Sequence, residues 1–211
     1  MQPTVAPDID GADDGSLSGV LKSWIRSFIR ENLDDMLPAQ VVSYDDASNR
    51  AVIKPLIMVG TTDGQKLSRG SIPNIPVFRY GGGGFFIRFP IKPGDFGWLK
   101  ANDRDVSLMF QRGGREDWPN TERLHSFSDA MFFPDTIKDW AISGADSEAL
   151  VIQAIDGGAV LAISSDSVEL RVGGQSLRIS SGGLQHNGVN IGATHVHGSV
   201  ETGPNVSGVP Q

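Results

Sequence analysis

From Leu17 the apolar residues recur at intervals of three and four: Leu17, Val20, Leu21, Trp24, Ile25, Phe28 and Ile29. Lys22, Ser23, Arg26, Ser27 and Arg30 fall between them, which predicts one amphipathic helix of about four turns. Asp14 or Ser16 is its candidate N-cap, and Pro38 lies beyond its end. After Pro38 the period shortens to two. Residues 40–44 and 50–59 read as a hairpin around a turn at 45–49, followed by a polar loop at 61–68 and candidate strands at 75–80, 85–89, 96–101 and 106–111. Short strands spaced by about ten residues predict a small closed barrel of the OB type. Residues 112–140 carry little periodicity and read as a connector anchored by Trp118, Phe127, Phe132, Phe133 and Trp140.

Past Trp140 the pattern changes again, to brief alternating runs at 149–155, 159–163, 168–172, 177–179 and 189–191. Gly-rich turns separate them, and no Lys, Phe, Tyr or Trp occurs in this stretch. Each run offers one small aliphatic face, as in Leu161/Ile163 and Val168/Leu170/Val172. Units this small cannot bury a face alone, so the pattern predicts a repetitive β architecture. Without aromatic residues to fill a sandwich inside one chain, the economical solution is several identical chains winding about a shared axis with the aliphatics inside.

Composition then limits the function. The chain has 211 residues, 26 of them Gly, no Cys, and a formal net charge of −7. The missing Cys removes disulfides and thiolate chemistry. Acidity and the lack of clustered Lys and Arg argue against nucleic acid as a partner. No apolar run is long enough for a membrane helix, and the acidic start, residues 1–15, lacks the basic region of an export signal and reads as a flexible leader.

The densest chemical signal is Thr194-His195-Val196-His197-Gly198. Residues i and i+2 of a strand point the same way, so His195 and His197 can present two imidazoles to one ion. Two ligands undersatisfy most divalent metals, whereas three chains meeting at an axis supply six nitrogens in an octahedron, a donor set for Fe, Ni, Co or Zn. With Glu201 and Gly208 the pair also approaches the first motif of cupin barrels, but Gly188 is one residue off that pattern and no fourth His follows. Gly81–Gly84 lacks the Gly-Lys-Ser/Thr of a phosphate loop and reads as a barrel loop. The acid pairs Asp45/Asp46, Asp103/Asp105 and Glu116/Asp117 lie on turns, and no Gly-x-Ser-x-Gly elbow accompanies His125, so His125 reads as structural and no catalysis or small-molecule substrate is expected. His186, between Gln185 and Asn187, reads as an exposed polar residue in preference to a second stacked ion site.

Together, an OB-like barrel, a Gly-rich β tail and a terminal His-x-His resemble the central spike proteins of contractile-tail bacteriophages. The resemblance covers roughly residues 38–211 and is carried by Phe89-Pro90-Ile91-Lys92-Pro93-Gly94-Asp95-Phe96-Gly97-Trp98, by His125-Ser126-Phe127-Ser128-Asp129-Ala130 with Phe132-Phe133-Pro134, and by the terminal histidines. It implies a mainly β homotrimer: an N-terminal amphipathic helix, an OB-like barrel docked on the baseplate hub, then an intertwined trimeric β-helix shaped as a triangular prism with a metal-bound tip. It further implies one metal ion per trimer, iron, held by His195 and His197 of three chains. The location implied is the virion's tail tip, and the act is the piercing of the host outer membrane. The expected divisions are a leader at 1–16, the helix at 17–36, the barrel at 38–112, the connector at 113–145, the β-helix at 146–192 and the apex at 193–211. The helix and the 14 residues after His197 depart from the family pattern. Leu17, Trp24 and Phe28 are the candidate partner-binding residues, since exposed aromatics favour interfaces. The alternative is a trimeric carbohydrate- or surface-binding module on a β stalk, with Phe78, Tyr80, Phe85 and Phe86 as its aromatic platform.

Overall fold

The computed structural model describes residues 15–60, 64–136, 144–193 and 195, apart from the side chains of 30–32. The chain divides into two compact units, Met1–Ile137 and Lys138–Gln211.

In the first unit, helix α1 spans Leu17–Asn32. The Ser16 hydroxyl accepts the Gly19 N–H at 2.9 Å and so satisfies one orphan donor of the first turn. The helix stops short of residue 36 because the barrel takes the next backbone groups: Asp34 N–H donates to the His125 carbonyl and Ala101 N–H to that of Asp35, both at 2.8 Å.

Strands β1 (Met36–Asp45) and β2 (Arg50–Pro55) form the expected hairpin. A two-residue ribbon, β3 (Val59–Gly60) with β4 (Lys66–Leu67), precedes β5 (Ile72–Pro76). Next come the ribbon β6 (Tyr80–Gly82) with β7 (Phe85–Ile87), then β8 (Phe96–Arg104), helix α2 (Ser107–Gln111) and β9 (Leu124–Pro134). Five of these strands make one antiparallel sheet in the order β5-β2-β1-β8-β9. Its outer strands meet through a parallel bridge between Val77 and Phe132, and Phe78 N–H donates to the Phe132 carbonyl at 2.8 Å. The sheet is therefore a nearly closed barrel. Register shifts at Val41/Ser43, Ala51/Ile53 and Ala101/Asn102 supply the bends that closure needs. Inside lie Val41, Ile53, Ile75, Leu99 and Phe132, all fully buried, with Phe127, Ala130 and smaller residues around them.

Two details differ from the sequence reading. The fifth barrel strand is β9, inside the stretch read as a connector; the positive φ of His125 and the shift at Ala101/Asn102 interrupt its alternation, although Phe127, Ala130 and Phe132 point inward. Of the supposed connector anchors, Phe133 stacks on Phe78, Trp118 is 85% exposed, and Trp140 lies outside the described residues. Residues 107–111 are helical, because the Asp105 carboxylate accepts the Ser107 N–H at 2.9 Å and turns the chain out of the strand. Gly83 and Gly84, within the stretch read as a loop, form the two-residue turn between β6 and β7, and both take positive φ as a turn of the primed type demands.

The second unit is one six-stranded antiparallel meander: β10 (Leu150–Gln153), β11 (Ala159–Ile163), β12 (Ser167–Val172), β13 (Gln175–Ser180), β14 (Gly183–His186) and β15 (Val189–Asn190). Every strand pairs with its sequence neighbour, and no register shift interrupts the ladder. Among the described residues the ladder is thus intramolecular. The alternating runs correspond to these strands, but the hydrogen-bonding partner of each run is the next run of the same chain. Among the described residues no helix is long and apolar enough to cross a membrane.

Candidate functional site

Directly paired residues of an antiparallel ladder share a face. Following the register across all six strands puts Leu150 and Ile152, Leu161 and Ile163, Val168, Leu170 and Val172, Leu177 and Ile179, Leu184, and Val189 on one side. Among the strand residues only Gln175 and His186 break its apolar character. The face is open: Leu150 is 64% exposed, Ile179 57% and Val189 65%. The opposite side carries Glu169, Arg171, Arg178, Ser176 and Gln185. There, Arg171 pairs with the buried Asp146 carboxylate and with Glu169, which holds the 3-10 turn Gly144–Asp146 against the sheet and helps to bury Val160 and Ala162. Asp146 makes the Arg171 guanidinium still harder to deprotonate, with Glu169 adding to the effect. One face is therefore finished with ion pairs, while the other presents a contiguous aliphatic surface to solvent, of a kind that marks an interaction site.

At the end of this sheet His195 is exposed, and its Nδ1 lies 2.6 Å from the Gly192 carbonyl. With Nδ1–H donating to that oxygen, the tautomer is set and Nε2 carries the lone pair, the arrangement usual for a metal-ligating imidazole. Thr194, His197 and residues 196–211 lie outside the described residues, so the pairing of His195 with His197 is not described. His186 is exposed and sits on the aliphatic face, opposite Leu177 and Val189. Its position two residues after Leu184 was the available signal for that placement.

In the first unit, Leu17, Trp24 and Phe28 lie on α1 and are exposed, at 77%, 65% and 48%. The Trp24 and Phe28 rings stack with centroids 5.7 Å apart. Of the proposed aromatic platform, Tyr80, Phe85 and Phe86 are exposed on the β6–β7 ribbon, whereas Phe78 packs between Tyr80 and Phe133. The ribbon is tied down by a cluster that sequence reasoning missed. Asp46 accepts from Arg88 at 2.7 and 2.9 Å and from Arg79 at 3.0 Å, and the Tyr44 hydroxyl donates to it at 3.1 Å. The Arg88 hydrogen bonds, helped by Tyr44 and Arg79, hold the Asp46 carboxyl below the usual carboxylate range.

The two barrel motifs do structural work. Pro93-Gly94-Asp95 clasps β1: Gly94 N–H donates to the Val41 carbonyl and Val41 N–H to that of Asp95, each at 2.8 Å, with Gly94 at φ +94°. Gly97 is constrained by space, since a Cβ there would meet the Phe133 carbonyl oxygen and lie 2.5 Å from Phe132 Cζ. In the second motif, Asp129 is buried and accepts from Arg123 at 3.0 and 3.1 Å, while Arg123 also reaches Asp105 at 3.2 Å. His125 Nε2 lies 3.2 Å from Asp103, and the His125 carbonyl receives Asp34 N–H. Among the described residues no group of three or more His, Asp or Glu is placed to hold a metal within one chain.

No curated protein sequence matches this chain. Residues 37–135, the whole of the five-stranded barrel but for the first residue of β1, match the family described as phage protein Gp138 N-terminal domain, and this likeness supports a phage structural protein related to the tail or baseplate.

Proposed function

We propose that the chain is the cell-puncturing spike of a contractile phage tail or tail-like particle. The observation that carries the reading is the uncovered aliphatic face of the six-stranded sheet. Copies of the same chain are its natural cover, because the face is aliphatic and free of charge, and its ladder leaves few strand partners to seek elsewhere. Three such sheets packed face inward make a triangular prism with a dry interior. Each buried Val, Leu or Ile contributes about 1.5–3 kcal/mol once removed from water, so the eleven aliphatics of this face offer a large driving force for assembly.

The sheet order β5-β2-β1-β8-β9 with a parallel closing bridge supports the OB-type reading of the barrel. In the proposed particle that barrel docks on the baseplate hub, and the exposed face of α1 with Leu17, Trp24 and Phe28 meets a neighbouring subunit there. At the tip of the β unit, His195 and His197 of three chains supply six imidazole nitrogens to one ion, iron being the choice that the spike resemblance favours. The tautomer fixed by Gly192 fits the role of His195. Six filled positions leave none for substrate, so the tip is mechanical and has no catalytic part. Sheath contraction drives the trimer through the host outer membrane, and shared burial opposes local unfolding under load.

A trimeric carbohydrate- or surface-binding module is the second reading, favoured by Tyr80, Phe85 and Phe86 standing exposed on a ribbon braced by Asp46. Native mass spectrometry with elemental analysis separates the readings from failure: three chains with one iron support the spike, and a metal-free single chain removes it. Glycan binding lost on Phe85→Ala favours the module.

A further inference from the structure

His186 occupies a place that the aliphatic face does not explain. Its ladder partners are Leu177 and Val189, and with Leu184 two residues before it the imidazole is ringed by aliphatics on its own side of the sheet. Among the described residues its ring has no hydrogen-bond partner, and no other titratable group of β10–β15 faces it. Burying such a ring unpaired costs free energy, and burying it protonated costs more. The sheet also narrows at this level, from six residues in β13 to four in β14 and two in β15.

We infer that His186 from three copies of the chain converges on the assembly axis and forms a second site, for a divalent transition-metal cation, separate from the one that His195 and His197 supply. The inference rests on the trimeric reading above. Neutral imidazole nitrogens suit Co, Ni, Zn or Fe, and three of them leave further positions on the cation for water. Ligation satisfies one nitrogen of each ring that packing would otherwise strand, and the shortening of the strands toward β15 favours the approach of the three rings.

The test uses the full chain carrying His195→Ala and His197→Ala, stripped with chelator and titrated with Co2+, with solution mass measured by sedimentation equilibrium. The expected result is a three-chain mass, one Co2+ per three chains, and loss of that ion when His186→Leu is added. If the double variant does not assemble, the wild-type chain serves: two Co2+ per trimer, falling to one in His186→Leu. A three-chain mass with a cobalt count indifferent to His186 overturns this inference alone. A single-chain mass for the wild type overturns the trimeric reading beneath it.

Discussion

The barrel and the six-stranded sheet solve the same problem in opposite ways. The barrel curls five strands until Val77 meets Phe132, and so encloses Phe132, Leu99, Ile75, Ile53 and Val41 completely. The sheet runs its strands side by side without a register shift, and buries only Val160 and Ala162 among its apolar residues. The difference lies less in hydrophobicity than in what the backbone permits. Register shifts and a bulky aromatic let one chain close around its own interior, whereas an unbroken ladder of small aliphatics stays open and must find its second layer elsewhere. The barrel's stability should therefore be a property of one chain, and the sheet's a property of the assembly.

Substitutions can break that contrast. The largest effect is expected at the centre of the open face: Leu170→Asp places a carboxylate from every copy in the shared interior, and should reduce the solution mass from three chains to one in a sedimentation experiment. Phe132→Ala should instead cost about 3–5 kcal/mol in denaturant unfolding of the barrel, with a midpoint independent of protein concentration and an unchanged mass. Gly97→Ala should also lower the barrel's thermal midpoint, because the added Cβ would collide with the backbone carbonyl of Phe133 and with the buried Phe132 ring, and β8 and β9 would have to shift to admit it. Least is expected from Asp46. Its carboxyl titrates lower in the folded chain than in the unfolded one, so its contribution is present above the ordinary carboxylate value of about 4 and is lost as pH falls through the folded value. Thermal melts of wild type and Asp46→Asn should differ at neutral pH and converge as pH falls below about 4; curves that stay parallel would remove the clip between Asp46 and Arg88 from the account.

How far these features could be read from the chain depends on how local their causes are. Strands β10–β13 were legible because their alternation is strict and turns such as Gly173-Gly174 separate them with positive φ at both positions. The ends of α1 were half legible: Ser16 is a cap by chemistry, but the stop at Asn32 is imposed by contacts of Asp34 and Asp35 with strands 65 or more residues away. Strand β9 and helix α2 were missed for the same reason. A bulge opposite Asn102 and a side-chain cap from Asp105 override the pattern, and neither leaves a periodic trace. Parity along a strand gives the face but not the partner, so the aliphatic face could be predicted while its pairing within one chain could not. For His186 the polar neighbours pointed to exposure, which the structure has, while parity with Leu184 gave the side of the sheet that the imidazole shares with Leu177.

Because the sequence has no Cys, the cover over the open face can be probed directly with single thiols. Leu170→Cys lies on the aliphatic side and Ser176→Cys on the polar side of the same pair of strands. In the assembled protein the thiol at position 170 should react with a maleimide far more slowly than the one at 176, and should become equally reactive once the chains are dissociated. Equal, fast labelling of both positions in the native protein would mean that nothing covers the face, and would contradict the account.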